Sequence, residues 1–172
     1  PSWLYFLGGS FTFHMVDVRN RSLVAKLAQD CDAVVPLAAI VGAPACDADR
    51  DLAKEVNYEA IRHLLIGLSP SQPVIFPMTN SGYGANTGEA LCTEATPLDP
   101  VSWYGITKAR AEQMVLDRGN SVSLRLATVF DAAPRMRFDL LVNTFILDRA
   151  ITGTIKVYGP AMRRNFVAIR DV

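Results

Sequence analysis

An α/β fold built on a doubly wound parallel sheet is what this 172-residue sequence predicts, and two observations predict it. Strand-like and helix-like segments alternate along the chain, and the strands are nearly continuous apolar runs, as they are in sheets covered on both faces. In such folds ligands bind beyond the carboxyl ends of the strands. Asp17, Ala38-Ala39, Thr79 and Thr128 all fall there, so the informative residues stand where the fold would need them.

Phe11 to Val18 (FTFHMVDV) is rich in β-formers and is expected as a short strand. Arg19 to Asp30 places Leu23, Val24, Leu27 and Ala28 at helical spacing. Ala33 to Ala39 (AVVPLAA) reads as a buried strand running into small residues. Asp47 to Leu68 reads as one long helix with Leu52, Val56, Ala60 and Leu64 on a stripe. Pro73 to Met78 is the next strand, followed by a Gly-, Asn- and Thr-rich loop from Asn80 to Pro100. Tyr104 to Arg118 is expected as helix, Val122 to Phe130 as strand, Phe138 to Ala150 as helix and Thr154 to Tyr158 as a short strand. There is no internal repeat and no low-complexity tract.

Composition removes several classes. Seventeen basic residues balance seventeen acidic ones, and half the chain is hydrophobic, which excludes a disordered tail and argues against a basic nucleic-acid surface. Cys31, Cys46 and Cys92 lack C-x-x-C spacing and read as reduced thiols of a cytoplasmic protein. With His14 and His63 the only histidines, no metal site is expected. The longest uncharged apolar run, Ala33 to Cys46, is too short and too rich in Gly and Pro to span a bilayer, so no membrane partner is expected. The N-terminus does not read as a signal peptide.

The chemistry centres on Tyr104-Gly-Ile-Thr-Lys108. Residues four apart share a helix face, so phenol and ammonium point the same way. A free tyrosine is a poor base at neutral pH; a cation beside it stabilises the phenolate. The pair can then move a proton to or from a substrate hydroxyl. Alone the spacing is weak, because Tyr and Lys meet this way on many helices. Context strengthens it. The strand PVIFPM ends in Thr79-Asn80-Ser81-Gly82-Tyr83-Gly84, which offers a hydroxyl at the strand's carboxyl end. Pro36-Leu37-Ala38-Ala39 ends another strand in residues small enough for close ligand approach. Asn57 sits beside the apolar stripe of the long helix, where an amide is costly unless satisfied; a core amide and a functional one both fit.

These segments, in this order, resemble an extended short-chain dehydrogenase/reductase of the NAD-dependent epimerase/dehydratase type, the group that includes UDP-galactose 4-epimerase. Asp17-Val18-Arg19-Asn20 resembles the segment that touches the adenine, Leu37-Ala38-Ala39 the H-L-A-A segment along the dinucleotide, and Glu55-Val-Asn57 the [ED]-x-N segment. Thr79 to Gly84 resembles S-[ST]-x-x-x-Y-G, and Thr93-Glu94, Pro97 and Pro100 the linker before the catalytic tyrosine. Leu124-Arg125 to Phe130 resembles L-R-x-x-x-V-[FY]-G; Tyr158-Gly159 and Arg164 to Asp171 resemble a distal nucleotide-sugar segment.

The resemblance implies a Rossmann-like domain over residues 1–150 and the start of a substrate-binding region over 151–172. It implies Tyr104 as general acid/base, Lys108 and Thr79 as its catalytic partners, and Asp17, Val18, Leu37, Ala38, Ala39 and Asn57 with Tyr104 and Lys108 as cofactor-binding residues. Ser81, Asn143 and Arg164 are the implied substrate contacts. NAD is the implied cofactor, and a missing selector residue leaves NADP open. A nucleotide-sugar is the implied substrate and a homodimer, paired through the two long helices, the implied assembly.

The departures shape the reading. The Gly-rich phosphate loop is absent, Gly8-Gly9 does not supply it, and the chain stops at Val172; it is expected to be a fragment lacking the first βαβ unit and most of the substrate lobe. Pro36, Asp131 and Ala168 replace a usual His, Gly and His. The relatives that dehydrate sugars carry an acidic pair after the catalytic Thr; here Asn80-Ser81 stands instead. Epimerase is therefore the first reading, a reductase of a keto-sugar or other carbonyl compound the second, and a non-catalytic dinucleotide-binding protein the third. His63 reads as a surface or packing residue rather than a ligand, while Arg135 and Arg163 read as solvated surface charge as readily as pyrophosphate contacts.

Overall fold

The computed structural model describes residues 11–85 and 91–172, arranged as two units: His14–Leu126, and Ala127–Val172 together with residues 11–13. Gly8-Gly9 lies outside the described residues.

In the larger unit the chain turns at Asp17 to Asn20, and the Asn20 side chain accepts the Leu23 amide to start helix α1 (Arg21–Gln29). The expected strand at Phe11 to Val18 is not formed. Phe13 and Met15 are exposed, and a β-rich run without a neighbouring ladder stays irregular. Of the strand expected at Ala33 to Ala39, one parallel bridge survives, Val34 to Val74.

The long helix expected from Asp47 to Leu68 is divided. Gly42 turns the chain at φ +91° into α2 (Ala43–Ala48). Asp49 is extended and its carboxylate accepts the Leu52 amide, so it caps a new start, α3 (Arg50–Lys54). An Asp that can satisfy an orphan amide ends one helix and begins the next. A π-helical turn, Glu55–Glu59, then leads into α4 (Ala60–Gly67). The turn brings both Val56 and Asn57 to the buried side.

Strand β1 (Val74–Thr79), a 3-10 turn (Asn80–Tyr83), helix α5 (Trp103–Asp117) and strand β2 (Ser121–Leu126) complete the unit. β1 and β2 pair in parallel, with Val74 opposite Ser121 and Thr79 opposite Leu126. This is the α/β class with parallel strands that the sequence predicts. Val74, Phe76 and Met78 alternate onto one face and meet Ala28, Ile61, Leu64, Leu68, Ala111 and Val115 from the helices. Gln72, nearly buried, donates to the Ala28 and Cys31 carbonyls and so ties the end of α1 to the entrance of β1.

In the smaller unit β3 (Thr128–Phe130) pairs in parallel with β4 (Phe166–Ala168), and α6 (Leu141–Thr152) lies between them in sequence. The single strand expected from Val122 to Phe130 therefore breaks at Ala127 and serves two ladders. The strand expected at Thr154 to Tyr158 is absent; Val157 and Tyr158 are exposed, and the chain reaches its ladder later, at Phe166. No helix of the described residues is long and apolar enough to cross a membrane.

Asp131 closes β3 at φ +113°, a conformation that favours glycine. Its carboxylate accepts the Ala132 amide at 2.7 Å and pairs with Arg170 at 3.2 Å. Strain of this kind costs about 1–3 kcal/mol. Asp131→Gly is therefore expected to be more stable than Asp131→Ala by about 1 kcal/mol in thermal melts, since Gly accepts the angle and Ala does not. The reverse ranking would contradict the backbone assignment.

Candidate active site

The carboxyl end of β1 and the first turns of α5 build one corner. Thr79 ends the strand; its hydroxyl accepts the Ser81 amide at 3.2 Å and donates to the Ser81 hydroxyl at 3.2 Å. The 3-10 turn that follows is clamped to the segment before α5. Gly84 takes φ +73°, and a Cβ there would stand 1.9 Å from the Asp99 carbonyl. The Asp99 amide in turn donates to the Gly82 carbonyl at 3.0 Å.

Ser102 caps α5 by accepting the Gly105 amide at 3.1 Å. A Cβ at Gly105 would lie 2.9 Å from the Ser81 carbonyl, so glycine lets the helix start press directly on the turn. Thr79, Ser81 and half-buried Tyr104 thus belong to one packed corner, on elements fixed by backbone contacts rather than by long side chains.

Lys108 lies one helical turn after Tyr104 and is buried, 5% exposed. Its ammonium sits 3.9 Å from the ring centroid of Phe76, which comes up from β1. Burial pulls its pKa down to about 8, against the opposing field of Glu112. A buried cation on an aromatic face, without a carboxylate bound to it among the described residues, is a donor with capacity left over.

Asn57 is 1% exposed. Its Oδ1 accepts the Ile40 amide at 2.8 Å, and its Nδ2 donates to the Ile40 carbonyl at 2.9 Å and to the Thr107 hydroxyl at 3.4 Å. Thr107, between Tyr104 and Lys108, passes its own proton to the Trp103 or Tyr104 carbonyl. The amide thereby fastens the loop of Leu37, Ala38 and Ala39 to the helix that carries the Tyr–Lys pair. Leu37 and Ala38 are exposed and Ala39 is half-buried, leaving small side chains and backbone open in the loop after the Val34 bridge.

Asp17 is bound to Arg19, which holds its carboxyl down at about 2, and Arg19 reaches on to Glu55 at 3.0 Å. Val18 is half-buried in the same turn. Asp17, Arg19 and Glu55 line an open polar cleft of about 730 Å³ with Lys54 and His63. In the smaller unit, Asn143 is 5% exposed and donates to the Arg137 carbonyl at 3.0 Å. It lines a cleft of about 120 Å³ with Phe130, Asp131 and Arg135. Arg163 and Arg164 are exposed.

Sequence reasoning missed four residues here. Phe76 was legible only as an apolar strand position. Thr107 carried no spacing signal. Glu112 stands four residues after Lys108, a visible interval, but its partner Arg125 is on a different element, and no local pattern links the two.

NAD fits this corner at its nicotinamide-ribose end by the chemistry of the donor set: a buried ammonium with donors to spare, two hydroxyls and an open small-residue loop. A cradle for the pyrophosphate is not among the described residues.

Residues 4–172 match the NAD dependent epimerase/dehydratase family. A curated relative, the uncharacterized UDP-glucose epimerase YtcB of Bacillus subtilis (strain 168), is 29% identical over 170 residues, covering 94% of this chain and 52% of that protein. The structure is similar to UDP-glucuronic acid 4-epimerase of Bacillus cereus in complex with UDP-glucuronic acid and NAD, at TM-score 0.81 and 28% identity, over 98% of this chain and 55% of that one. It also shares its fold with DesIV, a dTDP-glucose 4,6-dehydratase of Streptomyces venezuelae with NAD bound, at TM-score 0.80 and 23% identity, over 96% and 53%. The chain spans about half the length of these relatives.

Proposed function

Because this chain belongs to the NAD dependent epimerase/dehydratase family, a family of NAD-dependent enzymes, we propose that the full-length protein is an epimerase of a nucleotide-sugar, acting by transient oxidation. The observation that carries the reading is the packed corner of Thr79, Tyr104 and buried Lys108 at the carboxyl end of β1. Tyr104 takes the proton from a sugar hydroxyl and later returns it. Lys108 favours the phenolate and holds the nicotinamide-ribose hydroxyls. Thr79, with Ser81 beside it, holds the reacting oxygen. Asn57, which fixes the Leu37–Ala39 loop, would help that loop hold the dinucleotide, and Asp17 with Val18 would hold its adenine end. When bound, NAD supplies the hydride acceptor and donor. Asn143 and Arg164 contact the nucleotide-sugar, residues 1–150 serve the cofactor, and 151–172 begin the substrate region.

Two observations narrow the choice of reaction. Asn80-Ser81 follows the catalytic threonine, so the turn carries no carboxylate for elimination, which favours epimerase over dehydratase. UDP-sugar epimerases stand among the similar proteins. The assembly we propose is a cytoplasmic homodimer through the α3–α4 and α5 helices. Purified full-length protein with tightly held NAD is expected to interconvert a nucleotide-sugar and its epimer. Net consumption of NAD(P)H with no epimer formed would instead establish the reductase.

A further inference from the structure

One buried ion pair is explained neither by the core nor by the site as assigned. Glu112 is 2% exposed. Arg125 on β2 grips it with a fork, Nε 2.9 Å from Oε1 and Nη2 3.1 Å from Oε2, and the Ser123 hydroxyl donates to Oε1 as well. The remaining Arg125 nitrogen, Nη1, donates to the Glu94 carbonyl at 3.2 Å and to the Tyr83 hydroxyl at 3.3 Å. Tyr83 donates in turn to the Thr93 carbonyl at 3.1 Å. As a source of stability such a pair is poor, because apolar residues of the same volume hold a core as well or better.

Its position suggests another purpose. Glu112 follows Lys108 by one helical turn, a spacing at which opposite charges pair on a helix surface. Here they do not: the Glu112 ion pair is with Arg125, and the Lys108 ammonium lies on the Phe76 ring instead. Both carboxylate oxygens are already taken. Around α5, Asp47 pairs with Arg50, Glu55 with Arg19 and Glu59 with Arg62, while Asp51 and Lys54 of α3 line the open cleft. Among the described residues, Glu112 is the charged group whose field acts on Lys108.

We propose that Arg125 and Ser123 saturate Glu112 so that it keeps the Lys108 ammonium charged from a distance without capturing it. Glu112 and Arg125 are then positioning residues of the Tyr104–Lys108 site. Captured by a carboxylate, Lys108 would have fewer donors for a cofactor and less field to offer a phenolate. With no carboxylate near, burial would shift it further toward the neutral amine. The same guanidinium also donates to the Tyr83 hydroxyl and the Glu94 carbonyl, which fixes its fork on Glu112. This inference rests on the reading of Tyr104 and Lys108 given under Proposed function.

The chain has four lysines, Lys26, Lys54, Lys108 and Lys156, so NMR of protein isotope-labelled at lysine Cε can follow each through a pH titration. Loss of one signal in Lys108→Arg identifies the resonance. Glu112→Gln is expected to lower the Lys108 midpoint, and Arg125→Met to raise it, each by on the order of one pH unit, a tenfold change in protonation ratio. Arg125→Lys should restore the parent value. Loosening of the fold would also raise the midpoint. The double variant Glu112→Gln/Arg125→Met separates the two, because an effect that runs through Glu112 must fall below the parent value. Its apolar and neutral partners also suit it to fold if Glu112→Gln alone does not. A midpoint that stays put, or that rises in the double variant, overturns the proposal. The titration needs no substrate, so its failure would leave the catalytic reading standing, and loss of that reading would leave the titration result intact.

Discussion

Replacing Tyr104 by phenylalanine is expected to cut turnover of the full-length enzyme by about 10²–10⁴-fold, the usual worth of a positioned proton transfer. Tyr104 stands in the first turn of α5, where Ser102 caps the helix and Gly105 presses on the Ser81 carbonyl. These are backbone and cap contacts, and phenylalanine keeps both them and the ring. The helix should start at the same residue, and Lys108 should remain on Phe76. NAD affinity is therefore expected to stay close to that of the parent, while Lys108→Met loses affinity and turnover together. Steady-state kinetics beside a direct NAD titration separates the two. Equal loss of binding and turnover in Tyr104→Phe would count against the assigned role.

Phe76→Ala is expected to be the most damaging core change, at about 3–5 kcal/mol. Phe76 is fully buried on the helix-covered face of β1, and its ring also receives the Lys108 ammonium. Domains are stable by only about 5–15 kcal/mol, so a loss of this size leaves the fold marginal. Phe76→Leu fills most of the volume and should cost much less. It nevertheless removes the π-face, which is worth about 2 kcal/mol to a desolvated cation. The ring favours the charged form of Lys108, so its removal should move the Lys108 midpoint downward. Denaturant melts give the first effect and the lysine titration the second. A Phe76→Leu protein with an unmoved midpoint would show that the ring only fills space.

What the sequence made legible follows from which forces act locally. The Tyr104–Lys108 spacing, the small residues at Ala38-Ala39 and the hydroxyl of Thr79 could all be placed by helix and strand periods, because each depends on near neighbours. The division of the long helix was missed because it turns on one side chain. Asp49 could lie inside a helix or cap one, and the Leu52 amide decides. The break at Ala127 was missed because Val122 to Phe130 reads as one strand-like run, and its two halves differ in which strand lies beside them. Phe11 to Val18 has strand composition without a strand partner among the described residues. Asn57 left two readings open from sequence. The structure places its amide on both polar atoms of Ile40, which is how a core amide can also hold a loop in position. Glu112 and Arg125 were out of reach, since their pairing joins a helix to a strand across thirteen residues.

The most direct test of the central claim is a single turnover with the sugar labelled by deuterium at the carbon whose configuration inverts, using full-length protein loaded with NAD. The account predicts that reduced nicotinamide appears and decays as epimer forms, that the label slows its appearance, and that Tyr104→Phe abolishes it. Epimer formed at an unchanged rate from labelled sugar, with no reduced nicotinamide at any time, would contradict it.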